Sequence, residues 1–239
     1  MISKRDRDFL CRVYAQGLNK YRERLQSMSF VDMGRVLDAG CGFGQWSIAL
    51  ACLNDFVVGV DVDYKRCYVS TLLKNHLRIL NLCVSNTSIT DLPFKSSYFD
   101  GIFCFSVIYQ TEILKSLEEF YRVLKKGGRL YINTNGLGWY IYNLLKKHNP
   151  SEDFNPRFHA LRSILKSYIF RCPKYRGDWI INPKKLKKYL EIVGFKDVVF
   201  SGDGFLHKKL RKDVYIEGVS FYRSRFLLLT NVYEIMGKK

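Results

Sequence analysis

The sequence predicts an α/β fold with a doubly wound parallel sheet, and three observations carry that prediction. Arg35, Val36 and Leu37 read as a short buried strand, Asp38 sits at its carboxyl end, and Gly40, Gly42 and Gly44 turn the chain into a helix over Gln45 to Leu53. A second apolar run, Phe56-Val57-Val58-Gly59-Val60-Asp61-Val62-Asp63, also ends in acid. Further short apolar runs then alternate with stretches of helical spacing, the pattern of parallel strands joined by helices. A glycine turn between a strand and a helix lets a ligand lie against backbone, and the helix start supplies free N–H groups.

The spacing of the glycines narrows the ligand. A dinucleotide fingerprint requires G-x-G-x-x-G, but the third slot here is Gln45, and what stands from Asp38 to Gly44 is acid-x-G-x-G-x-G. Asp61 lies on the last residue of the second strand, where a carboxylate can accept both hydroxyls of a ribose; ligands collect at the carboxyl ends of parallel strands. Asp63 is expected to cap the helix that begins at Tyr64 and runs to about Asn75, with Cys67, Tyr68, Leu72 and Leu73 facing inward.

Composition sets the outer limits. A chain of 239 residues is long enough for one domain with a full core. Met1 to Asp8 is densely charged with no apolar run behind it, which argues against a signal peptide, and no stretch approaches the roughly 18 apolar residues of a membrane span. Seven cysteines without a C-x-x-C pair point to reduced thiols in the cytoplasm, not to a disulfide framework or a zinc site, and no metal-binding set is visible. The net charge of +17 admits an anionic partner (nucleic acid, an anionic membrane face or a phosphate-bearing substrate) beside the plainer reading of solvated surface lysines.

The remaining elements follow in order. Ser3 to Asp6 fits a capping box, and Leu10, Tyr14, Leu18, Tyr21 and Leu25 recur at helical spacing as one amphipathic helix, broken near Ser27 to Ser29. Leu80 to Val84 is a third strand and Asp100 to Val107 a fourth, ending in Ser106-Val107-Ile108-Tyr109-Gln110. Ile113, Leu114, Leu117, Phe120, Tyr121 and Leu124 form a helical stripe that Gly127-Gly128 should end, with an i,i+3 pair between Glu119 and Arg122 worth tenths of a kcal/mol. Arg129 to Thr134 is the fifth strand. Gly136 to Ile181 is too long for a plain connection and is rich in aromatics and cations, among them Trp139, Tyr140, Lys147, His159, Tyr175, Arg176 and Trp179. It reads as a mostly helical lid, with helices around Trp139 to Lys147 and Phe158 to Phe170. Asn182-Pro183 starts a helix with Lys184, Lys185, Lys187 and Lys188 outward, Gly194-Phe195 closes it, and Asp197 to Phe200 is the sixth strand. Phe205 to Gly218 reads as a loop or hairpin containing His207, Arg211 and Lys212, and Arg225 to Met236 as one last long strand.

Four landmarks stand in order, Asp38 to Gly44, Asp61, Leu92-Pro93-Phe94 and Phe99-Asp100, and a structural run, Glu119…Arg122-Val123-Leu124-Lys125-Lys126-Gly127-Gly128, follows them. On these, residues 31 to 136 resemble the class I S-adenosylmethionine-dependent methyltransferases, in particular the small-molecule subgroup that includes quinone and sugar methyltransferases. The resemblance implies a Rossmann-like sheet of seven strands with the last antiparallel, a cap over residues 1–30, a core over 31–136, a lid over 137–182, and closing helix and strands over 183–239. It implies S-adenosylmethionine as cofactor, held by Asp38, Gly40, Cys41, Gly42, Gly44, Asp61, Val62, Ser88, Ile89 and Ser106. Relatives often carry Asp and a small residue where Ser88 and Ile89 stand, so the adenine partner here is neutral. Lys126 replaces a usual proline. In many relatives the N-terminal helix closes over the cofactor, which makes Tyr14 and Tyr21 contact candidates beside their reading as core aromatics.

A sulfonium methyl needs an in-line nucleophile more than an acid, and a base only for a hydroxyl or a protonated amine. Tyr109, His159 and His207 are the base candidates, against packing or solvated roles. The expected function is methyl transfer to a hydroxyl or amine of a small molecule, such as a glycan or biosynthetic intermediate. The rivals are an RNA methyltransferase using the basic aromatic lid, and a cofactor-binding partner protein without catalysis. Peripheral contact with a membrane is a further candidate, and no Asn-Pro-Pro-aromatic motif follows the fourth strand to suggest methylation of DNA bases.

Overall fold

Val36 and Leu37 are both fully buried because the strand that carries them is covered on both faces, as a central parallel strand must be. The computed structural model describes residues 2–146, 154–172, 177–210 and 219–239. That strand is β1 (Arg35–Ala39). With β2 (Phe56–Asp61), β3 (Leu82–Asn86), β4 (Phe99–Phe105), β5 (Leu124–Asn135), β6 (Lys196–Gly202) and β9 (Val232–Lys238) it forms a seven-stranded sheet. The spatial order is β3-β2-β1-β4-β5-β9-β6, with β9 antiparallel to both neighbours. The pairs from β3 to β5 are parallel. The seven-stranded Rossmann-like architecture with its antiparallel last strand is therefore as expected. Strand order reverses between β1 and β4, which opens a crevice at their carboxyl ends.

One face packs Leu37, Val58, Ile102, Leu130 and Ile132 under α5 (Ile113–Val123) and α8 (Pro183–Val193). The other packs Val36, Phe103 and Tyr131 under α2 (Leu18–Ser27) and α3 (Gln45–Ala51), with Trp46 wedged against Tyr21, Phe103, Phe105 and Phe221. Under that face lies a buried ionic group. Arg24, 1% exposed, pairs with Glu234 of β9 and with Asp203 at 2.9 Å, and it also donates to Tyr131 Oη and the Val219 carbonyl. Asp203 further accepts from Asn133 Nδ2 at 2.9 Å and from the backbone N–H groups of Phe221 and Tyr222. These bonds fasten α2 and residues 219–222 to the sheet.

Several local expectations change. The N-terminal helix is two, α1 (Lys4–Ala15) and α2, because Gly17 turns the chain at φ +75°. In α4 (Tyr64–His76), capped by Asp63 as expected, Cys67 and Ser70 face in, whereas Tyr68 and Leu72 are 55% and 50% exposed. Apolar residues occupy both faces of that helix, so spacing alone did not choose between them. The third strand starts at Leu82, leaving Leu80 91% exposed. Gly127-Gly128 does not end α5, which stops at Val123 and passes straight into β5; Gly127, at φ +78°, bends that strand. Glu119 and Arg122 do more than pair with each other. Glu119 accepts from the Leu92 N–H at 2.7 Å while Arg122 donates to the Leu92 and Phe94 carbonyls, which fixes the Leu-Pro-Phe loop. The last long strand is interrupted: β7 (Arg225–Phe226) turns at Leu227-Leu228 into β8 (Leu229–Thr230) before β9 begins.

The segment expected as a lid holds α6 (Leu137–Lys146), α7 (Pro156–Ile164) and a π-helical continuation, Leu165–Phe170. Asn182 caps α8 and Gly194 closes it at φ +116°, both as expected. A short helix, α9 (His207–Leu210), begins the segment read as a loop or hairpin. Lys147, Tyr175, Arg176, Arg211 and Lys212 lie outside the described residues.

Candidate active site

The glycine turn is shaped by what surrounds it. Gly40, at φ +84°, lies so close to Val107 that a Cβ there would sit 2.3 Å from Val107 Cγ2. At Gly42, also left-handed at φ +54°, a Cβ would meet nothing within 4 Å, so bare backbone borders open space there. Gly44 is packed on Ser70 at the start of α3. The turn is held from the next strand: Asp61 Oδ2 accepts from the Gly42 N–H at 2.9 Å and Oδ1 from the Asp63 N–H at 2.9 Å. Each carboxylate oxygen keeps a second lone pair, so Asp61 can hold its loop and still accept from a pair of ligand hydroxyls.

Asp38 is 1% exposed at the end of β1 and accepts from Ser47 Oγ at 2.6 Å. Burial, partly offset by the Ser47 hydrogen bond and reinforced by the nearby Asp61 charge, pushes its carboxyl up to about 7. Such a group gains most from a cation brought beside it. At the first position of α3, Gln45 Oε1 is buried without a hydrogen-bond partner among the described residues. A carboxylate in need of a cation, a bare backbone edge and a two-oxygen acceptor at adjacent strand ends suit a nucleoside that carries an ammonium group.

The other expected cofactor residues are spread around this centre. Cys41 is buried and faces Cys67 of α4. Val62, just beyond Asp61, is 71% exposed, an apolar surface available to a flat ring. Ser88 Oγ lies 2.8 Å from Thr90 Oγ1. Ile89 is 4% exposed and its side chain belongs to the core, so only its backbone is placed to meet a ligand. Ser106 follows β4 at φ +59°, a backbone region that a serine adopts only under local constraint, and its Oγ donates to Asn133 Oδ1 at 3.3 Å.

Helix α1 crosses above the turn. Tyr14 Oη donates to the Phe43 carbonyl at 2.9 Å, the Phe9 and Phe43 rings meet at 5.9 Å, and Arg66 pairs with Asp6 at 2.8 Å. Tyr21 is instead a core residue, its hydroxyl on the Val13 carbonyl. Arg5 stands 4.0 Å over the Phe154 ring, so the same helix also reaches the lid.

The structure brings Tyr109 and His159 together through a residue that sequence reasoning missed. Asp178 Oδ2 lies 2.9 Å from His159 Nε2 and accepts from Tyr140 Oη at 3.0 Å. The chain around Asp178 is pinned: its N–H donates to Ser163 Oγ at 3.0 Å, and the Trp179 N–H donates to the Tyr109 carbonyl at 2.7 Å. The side chain of Asn135, the last residue of β5, lies beside both tyrosine hydroxyls. Burial, with the Asp178 charge beside it, holds the Tyr109 phenol far above its ordinary range, which leaves it a hydrogen-bond donor and not a base at neutral pH. The carboxylate fixes the His159 proton on Nε2 and leaves Nδ1 as the basic nitrogen. His207 is buried on α9. The signal for Asp178 was its sign, an isolated acid in a strongly basic stretch.

The chain is similar to known methyltransferases. A methyltransferase-domain family model matches residues 37–132. The ubiquinone/menaquinone biosynthesis C-methyltransferase UbiE of Syntrophotalea carbinolica is 34% identical over 154 residues, 59% of this chain and 63% of that protein. The O-methyltransferase rstn1 of Aspergillus nomiae is 26% identical over 183 residues, 75% of this chain and 72% of its own. Among curated relatives the matched stretch covers as little as 35% of the relative's length. A crystal structure of geranyl diphosphate C-methyltransferase from Streptomyces coelicolor A3(2) superposes with a TM-score of 0.63 at 16% identity, over 92% of this chain and 76% of that one, a likeness of fold.

Proposed function

The chain carries a class I S-adenosylmethionine-dependent methyltransferase domain, and from that premise we propose that it transfers a methyl group to a hydroxyl or amine of a small molecule, such as a glycan or biosynthetic intermediate. The observation that carries the choice of acceptor is the His159–Asp178 pair beside Tyr109, since a proton-accepting dyad serves an acceptor that must lose a proton.

S-adenosylmethionine, when bound, supplies a methyl already activated on a sulfonium sulfur. Asp61 would hold its ribose hydroxyls, Asp38 its ammonium, the Gly40 to Gly44 backbone its methionine part, and Val62 with Ser88 its adenine. Cys41, Ile89 and Ser106 line or brace the same strand ends. Tyr109 and Asn135 orient the acceptor. His159 Nδ1 would accept the proton that the acceptor hydroxyl or amine must lose on methylation. Asp178 holds the imidazole and stabilises the imidazolium that results. The lid and α1 exclude water and fix the approach line.

A carbon acceptor is a second reading, favoured by the name of the 34%-identical C-methyltransferase. We place the protein in the cytoplasm on the strength of its free thiols. Among the described residues no helix is long and apolar enough to cross a membrane. An RNA acceptor, or peripheral contact with a membrane, would engage the basic surface and leaves the roles at Asp61 and Asp38 unchanged.

Supplying radiolabelled methyl donor and enzyme to fractionated cell extract tests this reading. Label in the small-molecule or glycan pool supports it. Label confined to RNA overturns it in favour of the RNA reading, and cofactor binding with no label in any pool favours a non-catalytic partner protein.

A further inference from the structure

The hairpin that interrupts the expected last strand is built against both of its usual preferences. Leu227 and Leu228 occupy the two turn positions at φ +46° and +63°, where asparagine and glycine are the residues that fit. They are also 65% and 93% exposed, so the tip carries backbone strain and bare apolar surface together. The hairpin is held rigidly. Phe226 packs edge-on against Tyr142 of α6 at 5.1 Å, the Gly136 N–H donates to the Asn231 carbonyl at 2.7 Å, and Asn231 Nδ2 donates back to the Arg223 carbonyl. A Cβ on Gly136 or Gly138 would collide with the Thr230 carbonyl, so the two glycines let α6 and the hairpin meet closely.

Beside this tip lies a cleft of about 260 Å³, bordered by Arg225, Lys209, Ser201, Ser224 and Phe205. Pro183, the first residue of α8, forms part of its wall, and Lys184, Lys185 and Lys188 are exposed on the same helix. Arg223 and Arg225 precede the leucines, and neither has an ion-pair partner among the described residues. An apolar tip next to a cleft lined by Arg225 and Lys209, on a chain of net charge +17, suits an anionic lipid surface: acyl chains for the leucines and phosphate headgroups for the cleft.

We propose that the β7–β8 hairpin and this cleft dock the protein onto an anionic phospholipid bilayer, with Leu227 and Leu228 inserted and Arg225 and Lys209 on headgroup phosphates. None of the hairpin and cleft residues is among those assigned to the cofactor or to the His159–Asp178 pair, so docking is tested apart from the proposed reaction. A nucleic acid would match the cations but gives two projecting leucines nothing to enter.

The test is co-sedimentation of the full chain with vesicles of phosphatidylcholine alone and of phosphatidylcholine mixed with phosphatidylglycerol. Binding is expected only to the mixed vesicles, weakening with salt. The double variant Leu227→Asn, Leu228→Gly is the informative one, because it suits the turn and should melt at or above the parent temperature. It is nonetheless expected to bind mixed vesicles at least about tenfold more weakly, as is Arg225→Ala with Lys209→Ala. Full binding by Leu227→Asn, Leu228→Gly, or equal binding to both vesicle types, overturns the proposal. So does sedimentation velocity showing that the leucines instead hold two copies of the chain together, or RNA binding tightly while the vesicles do not.

Discussion

The Gly42 N–H donates to Asp61 Oδ2 at 2.9 Å, so the glycine turn after β1 is braced by the last residue of β2. The residue assigned to the ribose therefore also sets the shape of the loop assigned to the methionine part. Asp61→Ala should free the Gly42 amide, whose hydrogen exchange is expected to speed up about tenfold or more for the loss of a charge-assisted bond. Unchanged exchange at Gly42 would separate the two roles.

Asp38 predicts a pH dependence with a definite sign. Its carboxyl is raised to about 7 in the fold from an ordinary 3.8, so the folded protein binds a proton that the unfolded chain releases. Its contribution to stability is therefore greatest in acid and is lost as pH rises from about 4 through about 7. Glu234, also raised to about 7 by burial, acts in the same direction. A ligand ammonium favours ionised Asp38, so affinity for S-adenosylmethionine should rise by up to about tenfold between about pH 6 and pH 7. It should level off near about pH 8, where an α-amino group loses its own proton. Calorimetry across that range should show the rise in the parent and a flat profile in Asp38→Asn.

Arg24 is the sole cation shared by Asp203 and Glu234 among the described residues, and its own guanidinium is held charged by Tyr131, Glu234 and Asp203 against the cost of burial. Arg24→Met would strand two buried carboxyls. It should destabilise the fold by about 3–5 kcal/mol in urea titrations, and adding Glu234→Gln should recover part of that loss. A loss below about 1 kcal/mol in Arg24→Met would mean that α2 and the sheet do not depend on this group.

In the lid, Asp178→Asn leaves a hydrogen-bond acceptor for His159 and Tyr140 but removes the charge that favours an imidazolium. On the proposed acceptor it should lower kcat by about 10²-fold and His159→Gln by about 10²–10⁴-fold, with cofactor affinity unchanged in both. A loss confined to KM would make the pair a binding element.

Legibility in the sequence tracks how local each feature is. The glycine turn, Asp61 and the Asn182 and Asp63 caps are written in adjacent residues and were readable. Asp178 acquires its role from Tyr140 and His159, 38 and 19 residues away, and Arg24 from Glu234, 210 residues away, so no spacing announces them. Leu227-Leu228 was concealed for a different reason. An unbroken apolar run reads as strand, and only backbone dihedrals reveal that two leucines hold a turn. Tyr68 and Leu72 looked inward because the sheet-facing side of α4 is no more apolar than its outer side.

The most direct test of the account is isothermal calorimetry of S-adenosylmethionine on the parent protein and on Asp61→Ala, each checked for folding by its thermal transition. The account predicts saturable binding by the parent and at least about tenfold weaker binding by the variant, the worth of two charge-assisted hydrogen bonds to the ribose. No heat with the parent, or equal affinity in a folded Asp61→Ala, would contradict it.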